Sequence, residues 1–130
     1  MTNTDLENLN KIFELYPQVK LAYLFGSKVT GKAGPLSDYD FAIYFDGNDK
    51  KKMFEIKFDL QDKITRHLQS DKVDIVILNT IESPELKYNI IKQGEVIFER
   101  SAYRMLVEPK ILNEYFDFYQ MLLKYSLTKA

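Results

Sequence analysis

The chain has 130 residues, a formal net charge of −1, 45% apolar and 28% charged residues, one histidine and no cysteine. That length suits one domain, and the lack of thiols excludes disulfides and thiolate metal sites, so any cation must be held by carboxylates, which favours Mg²⁺ or Mn²⁺. Near-neutral charge argues against general nucleic-acid binding, no apolar run approaches the ~20 residues of a membrane span, and the polar, acidic start lacks a signal-peptide pattern, so the cytoplasm is the expected location.

In chain order, the pattern predicts a first helix over about Asp5 to Tyr16, with Thr4 and Glu7 as a capping box and Leu6, Leu9, Ile12 and Phe13 on one face. Pro17 stops it, and Val19–Phe25 reads as a central strand, apolar on both faces near its end. Ser27 to Ala33 reads as a short helix or turn, and Gly34-Pro35 as a loop. Tyr39–Phe45 is the second strand, with Phe41, Ile43 and Phe45 on one face and Asp38, Asp40, Ala42 and Tyr44 on the other.

A turn at Asp46 to Asp49 precedes a long helix over about Lys51 to Gln69, whose buried stripe is Met53, Ile56, Leu60, Ile64 and Leu68. Val73 to Leu78 is a third strand carrying Asp74, Val76 and Leu78 on one face. Ser83-Pro84 opens another helix that ends near Gly94. Glu95 to Glu99 is a short edge strand, and Ser101 is expected to cap a last helical region reaching about Ser126, kinked or split by Pro109. The expected class is α/β (α+β): a small mixed sheet of about four strands flanked by helices, in one domain over 1–130 with a C-terminal helical segment near 101–127.

The chemistry concentrates between Leu24 and Tyr44. Asp38 and Asp40 stand at i and i+2 where an apolar strand opens, so their carboxylates share a face and can share metal ions. Gly26-Ser27 ends the preceding strand in a corner of the kind that exposes backbone to phosphates. Lys28 and Lys32 add positive charge nearby.

Gly26-Ser27, ten residues, then Asp38-x-Asp40 resembles the signature of the polymerase-beta-like nucleotidyltransferase superfamily. From about Lys11 to about Phe118 the chain is similar to its smallest branch, the minimal nucleotidyltransferases (MNT), typically paired with a HEPN-domain protein in toxin–antitoxin systems. The resemblance implies the nucleotidyltransferase fold and in-line attack on the alpha phosphate of a nucleoside triphosphate, releasing pyrophosphate. It places a third carboxylate on a later strand, which points to Asp74 over Asp71 and Glu95. Asp38, Asp40 and Asp74 would then hold two Mg²⁺ ions, with Mn²⁺ able to replace them, roughly 3.5–4 Å apart. Gly26, Ser27 and Lys28 would bind the triphosphate, Lys28 standing where many relatives carry arginine and offering a point charge without the bidentate fork.

Only about thirty residues follow the fourth strand, too few for a nucleic-acid-gripping domain, so the acceptor must be presented by something other than this segment. The MNT resemblance implies a protein adenylyltransferase antitoxin that transfers AMP from ATP to a tyrosine of a HEPN RNase toxin. The rival readings are transfer to a small-molecule hydroxyl, as in aminoglycoside modification, and a non-catalytic antitoxin acting by contact alone. His67, beside a buried helix position, reads as a partly buried surface histidine. The aromatic run Tyr115 to Tyr125 has two readings, packing back onto the sheet or a partner-binding face.

Overall fold

The computed structural model describes residues 1–26 and 38–125. The elements are α1 (Asn3–Glu14), β1 (Val19–Phe25), β2 (Tyr39–Phe45), α2 (Lys50–Leu68), β3 (Val73–Ile77), a 3₁₀ turn (Leu78–Thr80), α3 (Pro84–Gln93), β4 (Glu95–Glu99) and α4 (Tyr103–Lys124). The four strands form one mixed sheet in the order β3-β2-β1-β4. β1 pairs antiparallel with β2 and with β4, and β2 pairs parallel with β3. The expected class, strand set and edge position of β4 match this architecture.

Alternation along the strands builds two cores. One face carries Phe41, Ile43, Phe45, Val73, Ile75 and Ile77 and is covered by Leu9 and Phe13 of α1 and by Met53, Ile56, Leu60 and Ile64 of α2. The other carries Leu21, Tyr23 and Ala42 and is covered by Ile90 of α3 and by Val107 and Ile111 of α4. The period of two in β2 and the helical stripe in α2 therefore meet as read from the sequence. Tyr39 packs against the first core, away from the aspartate that follows it.

Several ends differ from expectation. The helix α1 is capped by Thr2, whose side chain accepts from Asp5 N–H while the Asp5 carboxylate accepts from Thr2 N–H, so the box is Thr2/Asp5 and not Thr4/Glu7. Both are Thr-x-x-acid patterns, and the earlier one wins because each added residue gains an intrahelical bond once the nucleus exists. The strand β3 stops at Ile77, since Asn79 turns its side chain into the ladder: Phe45 N–H donates to Asn79 Oδ1 at 2.9 Å and Asn79 Nδ2 donates to Phe45 O at 2.8 Å. Ser101 does not cap α4. Ser101 and Ala102 take positive φ angles of 52° and 27°, and Glu99 instead accepts from Arg104 N–H at 3.0 Å.

Pro109 lies inside α4 without splitting it. The carbonyl it leaves unpaired, on Met105, belongs to a residue 78% exposed, where water can satisfy it. The aromatic run divides between its two readings: Tyr115 stacks on Tyr88 of α3 with centroids 3.9 Å apart, while Phe116 and Tyr125 are exposed. Among the described residues no helix is long and apolar enough to cross a membrane.

Candidate active site

The carboxylates gather where β2 and β3 begin. In the parallel register Tyr39 faces Val73 and Asp40 faces Asp74, so Asp40 and Asp74 are direct neighbours on the same side of the sheet. The antiparallel register sets Phe25 opposite Asp40, which brings the end of β1 to the same place. The order Asp74, Asp40, Gly26 thus runs across three adjacent strands.

Gly26 closes β1 with φ +81°, a left-handed conformation that strongly favours glycine. A Cβ at Gly26 would run into Asp40 Oδ2. Glycine is therefore required twice over, by the backbone angle and by the carboxylate packed against it. The sequence motif pairs a glycine with an aspartate fourteen positions later because the two touch in space.

Asp40 is half-buried, whereas Asp38 and Asp74 are exposed. The Asp40 carboxyl is pushed above the ordinary carboxylate range, first by burial, then by the charge of Asp74, then by that of Asp38. Three negative groups crowd one another at this corner, and the innermost feels both others. Asp38 and Asp74 also line a small cleft of about 180 Å³ with Asp71, Lys72 and Val73. Asp71, ranked below Asp74 on sequence grounds, therefore shares the rim with it. Glu95 pairs with Leu24, whose side chain belongs to the opposite core, so it is not brought to Asp40.

The fit to a metal can be judged from the donors. All are carboxylate oxygens, the set preferred by Mg²⁺ and Mn²⁺, and a cation would offset both the burial that raises Asp40 most and the charges of Asp74 and Asp38 beside it. Among the described residues no group of three or more acidic or histidine side chains stands within joint reach of one ion. Asp40 and Asp74, in register, form the fixed pair; Asp38, exposed and outside the strand, is the member with room to move. Ser27 and Lys28, expected at the triphosphate, lie outside the described residues, as do the expected turn from Ser27 to Ala33, Lys32 and the Gly34-Pro35 loop.

Larger clefts lie elsewhere. One of about 520 Å³ is lined by Glu99, Arg104, Met105, Glu108 and Leu112 at the start of α4, away from every carboxylate of the Asp38, Asp40 and Asp74 group. It is a mostly apolar surface groove, and size alone gives it no reacting group. His67 faces α1 instead, its Nε2 buried and 3.4 Å from Asp5 Oδ1 without hydrogen-bond geometry.

Comparison with known proteins shows the family and agrees with the fold. The family model described as "Polymerase beta, Nucleotidyltransferase" matches residues 7–103. The chain is 31% identical over 107 residues to the protein adenylyltransferase MntA of Aphanizomenon flos-aquae (strain 2012/KM1/D3), covering 75% of this chain and 69% of that one. Among solved structures it is similar to a toxin–antitoxin crystal structure with AMP-PNP, with a TM-score of 0.71 and 22% identity, covering 98% of this chain and 100% of that one. It is also similar to a chain in the structure of a tri-AMPylated Shewanella oneidensis HEPN toxin in complex with MNT antitoxin, with a TM-score of 0.68 and 21% identity, covering 98% and 100%.

Proposed function

Because this chain belongs to the polymerase beta nucleotidyltransferase family, we propose that it is a protein adenylyltransferase antitoxin, transferring AMP from ATP to a tyrosine of a cognate HEPN RNase toxin and so silencing it. The observation that carries the catalytic part is the in-register pair Asp40 and Asp74 beside a glycine that only a bare backbone can occupy. A protein acceptor and a HEPN partner follow the relative named a protein adenylyltransferase and the complex with an AMPylated HEPN toxin, and the tyrosine follows the MNT resemblance.

In the reaction the tyrosine oxygen bonds to the alpha phosphorus, the bond from that phosphorus to the bridging oxygen breaks, and pyrophosphate leaves. Asp38, Asp40 and Asp74 are the catalytic carboxylates and the residues that would hold two Mg²⁺ ions. When bound, the ions neutralise the attacking and leaving oxygens and lower the pKa of the attacking hydroxyl. Gly26 lets the triphosphate approach the backbone beside Asp40, and Ser27 and Lys28 contact its phosphates. Asp40, flanked by Asp38 and Asp74, would be the central carboxylate holding the metal. The whole of 1–130 acts as one nucleotidyltransferase domain in the cytoplasm.

The test is a transfer assay with Mg²⁺, ATP labelled on the alpha phosphate and the HEPN protein encoded beside this chain, followed by intact mass. Gain of whole AMP units on a toxin tyrosine, absent with Asp38→Ala/Asp40→Ala, is the expected result. Tight binding without any mass gain, equal for both proteins, would favour neutralisation by contact and overturn the enzymatic reading.

A further inference from the structure

The connection from α2 to β3 is more tightly held than a surface turn requires. Gln69 is left-handed at φ 52°, and its N–H bonds back to Thr65 O. Ser70 N–H bonds to the same carbonyl at 3.2 Å, and Lys72 N–H bonds to Ser70 Oγ at 3.1 Å. Tyr39 N–H then donates to Lys72 O at 2.7 Å, which sets the phase of the parallel ladder.

In a parallel pair, one residue turns its N–H and C=O toward a given neighbour and the next residue turns away. Lys72 and Asp74 therefore address β2, and the carbonyl of Val73 points to the open edge of the sheet. Gln61 Nε2, from α2, donates to that carbonyl. Gln61 follows Leu60, which is fully buried, so its backbone is anchored while its amide reaches sideways to the strand.

The Val73 carbonyl belongs to the same peptide unit as the Asp74 N–H. That peptide plane is held on one side by β2 and on the other by Gln61. Orientation of the plane fixes the direction in which the Asp74 carboxylate leaves the backbone. An edge carbonyl could bond to water at less cost in side-chain entropy than a glutamine must lose, so a fixed plane at this residue is what the bond adds.

We infer that Gln61 is a positioning residue for nucleotidyl transfer: it aims the Asp74 carboxylate by clamping the Val73–Asp74 peptide. The inference rests on the function proposed above, in which Asp74 holds a divalent cation.

Two variants of the full chain test it. Gln61→Met keeps length and packing and removes the donor; Gln61→Lys supplies a donor again. The readouts are Mn²⁺ affinity in the presence of AMP-PNP, followed by electron paramagnetic resonance, together with kcat, KM for ATP and Tm. Gln61→Met is expected to lose about tenfold in Mn²⁺ affinity and in kcat, as outer-shell supports of metal ligands do, with KM for ATP within about twofold of wild type. Recovery of both by Gln61→Lys supports orientation by a donor. Unchanged Mn²⁺ affinity in Gln61→Met, with a fall in Tm alone, makes the residue merely structural and overturns the inference. Wild type that transfers no AMP overturns the proposed function instead, and the Mn²⁺ titration still decides the role of Gln61.

Discussion

The two faces of the sheet are built to different standards. Among the described residues, the face under α1 and α2 gathers 17 buried side chains, the face under α3 and α4 only 7. One strand serves both: β2 turns Phe41, Ile43 and Phe45 to the first face and Asp40, Ala42 and Tyr44 to the second. Large apolar groups on one side hold the fold, so the other side can carry a crowded carboxylate and a thinner core. Stability and chemistry are separated across the thickness of a single sheet.

Replacing Asp40 by asparagine should break that separation most visibly. Transfer should fall by at least about 10²–10³-fold, the scale of losing a central electrostatic group. Without divalent cations, Tm should rise as the cost of a buried charge, and then like-charge crowding, is relieved. The sign follows from the raised Asp40 carboxyl. The folded state holds the Asp40 proton to higher pH than the unfolded chain does, so folding is favoured by protonation there. As pH rises from the ordinary carboxylate range through the raised value, wild type should lose stability and Asp40→Asn should not. Added Mg²⁺ should stabilise wild type more than the variant. Equal melting curves for both proteins across this range would sink the argument from crowding.

Leu60→Ala tests the other side. Leu60 is fully buried in the larger core, and its loss should cost about 2–5 kcal/mol by urea titration. Residual folded protein should keep its KM for ATP, because Leu60 faces away from the carboxylates. Ile111→Ala, on the thin face, should cost less, about 2 kcal/mol. Ile111 already borders a cleft of about 170 Å³ with Tyr44, Leu78 and Asn79, so fewer neighbours lose contact and less new cavity is made. A larger loss at Ile111 than at Leu60 would reverse the ranking of the faces.

The separation explains what the sequence reveals. The larger core was legible because period-two strands and a helical stripe state it in apolar residues alone. β1, β2 and β4 keep their predicted bounds, and the four buried positions of α2 fall where the stripe puts them. Asp40 and Gly26 stand out by motif and spacing and Asp74 by what the resemblance implies, whereas the packing of Gly26 against the Asp40 carboxylate depends on the register of the strands. The missed features are bonds between distant side chains and backbone. Asn79 replacing a rung of the ladder, Glu99 capping α4 and Gln61 holding Val73 leave no periodic trace. The cap of α1 falls at Thr2, two residues before the Thr4 that the pattern favours.

The smallest expected effect sits where the thin face is joined to α4. Tyr23 is fully buried in β1, and its hydroxyl donates to Glu108 Oε2 at 2.6 Å. The same carboxylate accepts from Arg104 Nε at 2.8 Å. Removing the hydroxyl in Tyr23→Phe leaves Glu108 with its arginine, so the cost should be about 1 kcal/mol. Glu108→Leu should cost more, because it strands a buried hydroxyl and frees Arg104 together. Burial, then the bond and the charge of Glu108, hold the Tyr23 hydroxyl far above the ordinary tyrosine value. Above about pH 10 the unfolded tyrosine ionises while the folded one keeps its proton, so stability should fall as pH rises there. In Tyr23→Phe that part of the slope should vanish, and urea midpoints measured from pH 9 to pH 11 should converge for the two proteins at the alkaline end. Parallel curves would mean that ionisation of Tyr23 in the unfolded chain adds nothing to the alkaline loss of stability, and would overturn this reading.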